Sequence, residues 1–304
     1  LRPFHDVVFD EAATMAERLG SRAVRELVDV LGDPAIDAFL IATSTDTHLE
    51  LLKAASAAGK AIYCEKPIDL DLGRAREAAA AIEASGVPCM IGFNRRSDPN
   101  HAALRDAVRS GEVGRVEMVL MTNRGPDLMP LDKLRWTGGQ FRDQTIHFFD
   151  LLRWITGDEP VEAFAMGACL VNPAVAELGD VDTSMVMLRM AGGALCQIDS
   201  SRRTAYGYDE RIEVFGSTGM VESERQRMRG VSRYGRGTIT RDGLHPGWLE
   251  RIEGTYAAAL DGFIEAIRDG RSPSPSIDDG LRAQLIAEAA IRSLKEGRPC
   301  PIDA

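Results

Sequence analysis

Residues 35–67 read AIDAFLIATSTDTHLELLKAASAAGKAIYCEKP, two short apolar runs on either side of one amphipathic segment. Ala35–Ala42 (AIDAFLIA) is interrupted only by Asp37 and has the length of a buried strand, and Ala61–Cys64 (AIYC) has the same character. Between them Asp46–Gly59 repeats its apolar positions at helical spacing and has glycine at its end. Strand, helix and strand in so short a span form a parallel crossover. The pattern extends both ways: Asp10–Gly20 is a predicted helix stopped by glycine, Leu70–Gly86 an alanine-rich helix, Pro88–Phe93 (PCMIGF) a strand and Pro99–Gly111 a helix. The expected architecture of this half is a parallel sheet wrapped by helices on both faces.

After Gly114 the pattern changes. Arg115–Asn123 and Val161–Leu170 read as strands, and Asp143–Gly157 between them as one helix rich in aromatic and aliphatic residues. Thr183–Met190, Ala194–Ser200, Glu210–Phe215 and Met220–Glu224 then follow one another across short turns, which predicts a mostly antiparallel open sheet. Gln226–Gly247, rich in Arg and Gly, reads as a surface loop, and helices over about Trp248–Gly270 and Asp278–Gly297 close the chain and pack back. The fold class is therefore α/β followed by α+β, with domains expected at 1–113 and 114–304.

The composition fits this division, since 304 residues suit two domains of roughly 100–200 residues each. With 44% apolar and 27% charged residues, a predominantly disordered chain is excluded. The apolar runs fall short of the roughly 18 residues that span a bilayer, and no basic-then-apolar leader opens the chain. A cytoplasmic protein with no membrane partner is expected. Lys and Arg total 36 against 46 Asp and Glu, a net charge of −10, and the arginines are scattered, which argues against a nucleic-acid partner. Cys64, Cys89, Cys169, Cys196 and Cys300 form no C-x-x-C pair. Reduced, buried thiols are expected, with no disulfide frame and no metal site.

Three clusters carry ionisable groups. Cys64-Glu65-Lys66-Pro67 follows the AIYC strand, and the proline holds Lys66 out of helix on a stiff turn, although a plain surface Lys-Pro turn reads the same way. Asp143, His147 and Asp150 are spaced four and three residues apart and so share one helical face. A carboxylate one turn from a histidine fixes its tautomer and stabilises its cation, as a general base requires; a capping Asp beside a half-buried His is the alternative. Arg202-Arg203-Thr204-Ala205-Tyr206-Gly207-Tyr208-Asp209 offers hydroxyls and arginines to a hydroxyl-rich ligand, or simply decorates a hairpin end. Thr43-Ser44-Thr45-Asp46-Thr47-His48 places hydroxyls at a helix N-terminus, suited to phosphate or amide groups or to plain capping by Thr45 or Asp46.

Taken in order, I-A-T-x-T-D-T-H, C-E-K-P, I-G-F-N-R-R, G-G-Q-F-R-D-x-T-I-H-x-x-D and Y-G-Y-D-E-R-I-E-V-F-G-S-T-G resemble the Gfo/Idh/MocA oxidoreductase family, and most its myo-inositol 2-dehydrogenase branch. The resemblance runs from about Asp6 to the C-terminus. It implies a Rossmann-like dinucleotide-binding domain, then an open-sheet domain that binds substrate and builds homo-oligomers, dimer or tetramer. It implies that Lys66 orients and polarises a substrate hydroxyl, that His147 accepts its proton and that Asp143 is the carboxylate partner. Asn94, Arg95, Arg124, Asp150 and Tyr208 match substrate-binding positions. Asp6, Thr43, Ser44, Thr45, His48, Glu65, Lys66 and Pro67 match cofactor-binding ones.

The implied reaction oxidises a secondary hydroxyl of a cyclic polyol or sugar by hydride transfer to nicotinamide. Lys66 and His147, from opposite domains, would flank one oxygen within ~3 Å. Related chemistries of the same fold are epimerisation, elimination and glycoside cleavage by transient oxidation, and a non-catalytic ligand sensor is a third reading. No G-x-G-x-x-G occurs. Asp6 matches the acid that ends the family's second strand, so the first βα unit, about 30 residues, is absent and the chain is expected to be part of a longer one. Asp6, with no arginine directly after it, favours NAD over NADP. Asn123-Arg124-Gly125-Pro126-Asp127-Leu128 lacks the acidic residue that sugar-oxidising relatives often carry after the arginine.

Overall fold

The computed structural model describes residues 3–303. They divide into one unit of residues 3–91 with Phe263–Ile277 and a second of Gly92–Gly262 with residues 278–303. In the first unit the elements are α1 (Phe9–Arg18), α2 (Leu27–Leu31), β1 (Ala38–Ile41), α3 (His48–Ala57), β2 (Ala61–Cys64), α4 (Leu72–Ser85) and β3 (Cys89–Ile91). The strands form a parallel sheet in the order β1-β2-β3, with Ala38 opposite Ala61 and Ile62 opposite Cys89. β2 and β3 are buried throughout, as strands covered on both faces must be. Helix α4 forms because Ala75, Ala78 and Ile82 recur on one buried face, the Asp71 carboxylate caps the Arg74 amide at 2.9 Å and Gly86 ends it at φ 66°.

The second unit contains α5 (Pro99–Arg109), β4 (Val116–Arg124), α6 (Leu131–Leu134), α7 (Ile146–Thr156), β5 (Pro160–Ala168), β6 (Thr183–Met190), β7 (Leu195–Ser201), β8 (Asp209–Gly216), β9 (Met220–Ser223), β10 (Ser232–Gly235), β11 (Thr238–Arg241), α8 (Trp248–Arg268, through Gly262), α9 (Ile277–Glu296, from Asp278) and β12 (Cys300–Pro301). Its sheet runs β12-β5-β6-β7-β4-β8-β9. All pairings are antiparallel except β4 with β7. Burial alternates along β6, with Val186 and Leu188 inside and Met185 and Met187 out, so one face is core and the other open. On the core side α7 buries Phe148, Phe149, Leu151, Leu152 and Ile155 completely.

The compact units divide at 91/92, whereas the expected domain bound lies at 113/114, because α5 packs on α7 and β9. Other expectations are corrected. The helix expected from Asp46 begins as a 3₁₀ turn, Thr45–Thr47, and neither Thr45 nor Asp46 caps it. The helix expected from Asp143 opens on a π-helical turn, Phe141–Thr145. The Arg- and Gly-rich loop contains the exposed hairpin β10–β11. Cys169 is half-exposed, at the end of β5, while the other four cysteines are buried and all five are free thiols.

Candidate functional site

In the first unit the chemistry gathers where β1 and β2 end, since parallel neighbours finish on the same side of their sheet. The Glu65 amide donates to the Ile41 carbonyl at 2.9 Å and carries the pairing one step past β2, to Lys66 and the cis Lys66–Pro67 peptide. The loop after β1 leaves Thr43 and Ser44 exposed. The Thr43 hydroxyl is 2.7 Å from that of Thr47, which donates to the Ser44 carbonyl at 2.8 Å.

His48, 1% exposed, ties the two loops together. Its Nδ1 lies 2.9 Å from the Pro67 carbonyl and its Nε2 3.2 Å from that of Thr43. Burial lowers its pKa further than those carbonyls raise it, which favours the neutral ring. A neutral ring donates from one nitrogen only, so His48 bonds one of the two carbonyls at a time, according to its tautomer. Asp6 is exposed just after the Phe4–Ala23 bridge and accepts a hydrogen bond from the Val8 amide at 2.8 Å.

In the second unit His147 sits on α7, 7% exposed, with its ring edge-on to Phe93 at 5.8 Å. One turn on, Asp150 is fully buried and accepts Arg96 Nε at 2.8 Å and Nη2 at 2.6 Å. Burial pushes the Asp150 carboxyl above its usual range despite Arg96. Arg96 reaches on to Asp279, as does Arg153, which also forks onto Glu159.

The adjacent arginine is wired elsewhere. Arg95 donates to Glu210 at 3.0 Å, to the Tyr208 hydroxyl at 2.9 Å and to Asn94 Oδ1 at 2.9 Å, and Tyr208 in turn donates to Glu210 at 2.9 Å. Asn94 donates to the Thr255 hydroxyl at 2.8 Å. Arg251 adds its charge, 2.7 Å from Asp98 and 3.7 Å from Glu210. Burial raises the Glu210 carboxyl, but Arg95 and Arg251 together hold it below the usual range; burial raises the Tyr208 phenol.

Arg124, at the end of β4, donates to Asp199 at 2.5 Å and to the Tyr206 hydroxyl at 3.3 Å. Asp143 lies in the π turn and accepts from Arg202 at 3.0 Å. The structure thus groups Asn94, Arg95 and Tyr208 into one cluster and links Asp150 to Arg96. The residues given no role in the sequence reading, Arg96, Glu210, Arg251 and Asp199, meet partners far apart in the chain, and no local spacing marks those pairings. A hollow of about 480 Å³ on the sheet, lined in part by Gln197, Asp199, Arg211, Glu213 and Arg225, includes none of the expected catalytic side chains. Among the described residues no His, Cys, Asp or Glu cluster is placed to hold a metal, and no helix is long and apolar enough to cross a membrane.

A parallel sheet with crossover helices, and loops gathered at its carboxyl edge, is the architecture on which dinucleotide-binding domains are built. Residues 5–93 match the oxidoreductase family with NAD-binding Rossmann fold, and residues 101–222 match the GFO/IDH/MocA C-terminal domain. An inositol 2-dehydrogenase of Rhizobium meliloti is 44% identical over 88% of this chain and 81% of its own. A myo-inositol 2-dehydrogenase of Thermotoga maritima is 39% identical over 98% of this chain and 90% of its own. The crystal structure of a myo-inositol dehydrogenase from Corynebacterium glutamicum superposes with a TM-score of 0.92 at 36% identity, covering 99% of this chain and 90% of that one. The chain belongs to the Gfo/Idh/MocA oxidoreductase family, as an NAD-binding oxidoreductase similar to inositol 2-dehydrogenases.

Proposed function

We propose that the chain oxidises one secondary hydroxyl of a cyclic polyol, an inositol before a sugar, using NAD in preference to NADP. The strongest support is the 44% identity with an inositol 2-dehydrogenase over 88% of the chain. Taking hydride from a carbinol carbon requires the hydroxyl proton to leave as well. Bound NAD supplies the hydride acceptor. His147 is assigned to take the proton, Lys66 to stabilise the alkoxide that develops, and Asp143 to favour the imidazolium.

Asn94, Arg95, Arg124, Asp150 and Tyr208 are assigned to the polyol-facing wall. Because their charged atoms already meet Glu210, Asp199 and Arg96, they offer fixed hydrogen-bonding edges more than loose charges. The residues present fit the cofactor: Thr43, Ser44 and Thr45 border a turn whose first amides no side chain caps, suited to phosphate oxygens. Asp6 is exposed for ribose hydroxyls, and at the neighbouring strand end Glu65 is fixed by its amide on Ile41 and Pro67 by its carbonyl against His48, with Lys66 between them. A screen of inositols, hexoses and their acids with NAD, read as NADH absorbance, tests the reading. NADH formation with an inositol is expected, and none with any inositol overturns it.

We further infer a cytoplasmic homo-oligomer, a dimer or tetramer, assembled through the open face of the sheet. Met118, Leu120, Met185, Met187, Leu195 and Phe215 are all exposed there on four adjoining strands, with Gln197 and Asp199 among them, a largely apolar face of the kind interfaces cover. Met187→Asp should lower the mass measured by light scattering, and an unchanged mass rejects this face.

A further inference from the structure

The bond from Arg202 to Asp143 leads to a group that the proposed chemistry leaves unused. Arg202 is 6% exposed at the end of β7, with its amide fixed to the Asp182 carbonyl at 2.8 Å. Its Nη1 donates to Asp143 Oδ2 at 3.0 Å. Its Nη2 stands 3.9 Å from Asp180 Oδ2, beyond hydrogen-bond length but well within Coulomb reach. Among the described residues Arg202 Nε and Nη2 and Asp180 Oδ2 make no hydrogen bond. One buried guanidinium therefore serves two carboxylates, and burial without a cation would cost both.

Asp180 leads back to the same turn. Its Oδ1 accepts the Gln140 amide at 2.8 Å, at the entry to the π turn, and a Cβ on Gly139 would stand 2.8 Å from that oxygen. Gly139 holds φ 92°, so its lack of a side chain allows both the backbone shape and the approach of Asp180. From the other side the Asn123 side chain donates to the Gln144 carbonyl at 3.0 Å. The π turn, which sets where Asp143 lies ahead of His147 on the following helix, is held at its start by Asp180 and at its centre by Arg202.

We propose that Arg202 is a positioning residue for Asp143, fixing its carboxylate directly and the π turn through Asp180. This rests on the assignment of Asp143 to the proton transfer. Arg202→Ala should lower kcat/KM roughly 10–100-fold, mostly in kcat, as loss of a charge-assisted bond does. Arg202→Lys, which keeps the charge but loses the fork, should recover part of the rate. In an Asp143→Asn background the Arg202→Ala change should cost several-fold less, because the carboxylate it places directly is gone and only its hold on the turn through Asp180 is left.

Hydrogen exchange of residues 138–147 should also quicken in Arg202→Ala. That readout needs no substrate, so it tests the placement even if the polyol assignment fails. Equal losses in both backgrounds, or unchanged exchange in that segment, would overturn the proposal. If Arg202→Ala does not fold, Arg202→Lys carries the same cycle.

Discussion

The bonds that join the loops after β1 and β2 end on main-chain groups, whereas around Asp150 and Arg95 they run between buried charges. In the first unit the two loops are fixed by strand pairing, by the Glu65 amide on Ile41 and by one uncharged imidazole. In the second, buried carboxylates and guanidiniums, at 0–8% side-chain exposure, form chains, from Asn94 through Arg95 to Glu210 and Arg251, and from Asp150 through Arg96 to the less buried Asp279. Main-chain bonds tolerate changes of side chain. A buried ion pair does not tolerate loss of one member, because the charge left behind has no solvent.

The largest expected effect bears on the chemistry assigned to each unit. Lys66→Ala and His147→Ala should each reduce kcat roughly 10²–10⁴-fold with the circular dichroism unchanged; near-normal turnover in either would remove that residue from the mechanism. Next is the stability contrast. Glu210→Gln and Asp150→Asn should each destabilise by about 3–5 kcal/mol in urea unfolding, since Arg95 or Arg96 loses its buried counter-charge. A loss under about 1 kcal/mol would put these pairs in the class of exposed ones.

Acid should act on both units. His48 and His101 are buried with pKa values below the usual 6.5, so the unfolded chain takes up protons that the folded one refuses. Their stabilisation is complete above that value and is lost as pH falls below it. Glu210 and Asp98, held low by their partners, add a further loss below 4.5 and 3.8. Asp150, raised by burial, works in the opposite sense. The melting temperature should therefore fall between pH 6.5 and 4.5, and His101→Asn should flatten that slope; an unaltered slope would assign it elsewhere. The smallest effect is expected at Arg124–Asp199, a partly exposed pair, where Asp199→Asn should cost about 1 kcal/mol or less.

What could be read in the sequence is what depends on neighbours along the chain. Ala61–Cys64 and Thr183–Met190 are strands with the predicted bounds, because an unbroken apolar run and a strict alternation are both local patterns. The hairpin β10–β11 escaped notice because its residues are exposed on both faces and carry no hydrophobic period. Asp143, His147 and Asp150 are singled out by helical spacing, but the π turn separates the first from the others, and the Gly138-Gly139 pair ahead of it gives no period to read. The partners of Asp150 and Arg95 lie 54 and 115 positions away. Only folding brings them within reach.

Arg95 and Arg96 are consecutive, yet their guanidiniums enter separate networks. The short turn that bears them, Asn94–Ser97, therefore has a fixed length. Inserting or deleting one residue there would present Glu210 and Asp150 with the wrong guanidinium and strand both acids at once. Natural variation in length should avoid this turn and collect in the outward-facing hairpin, where extra residues disturb only the exposed Arg233–Asp242 pair.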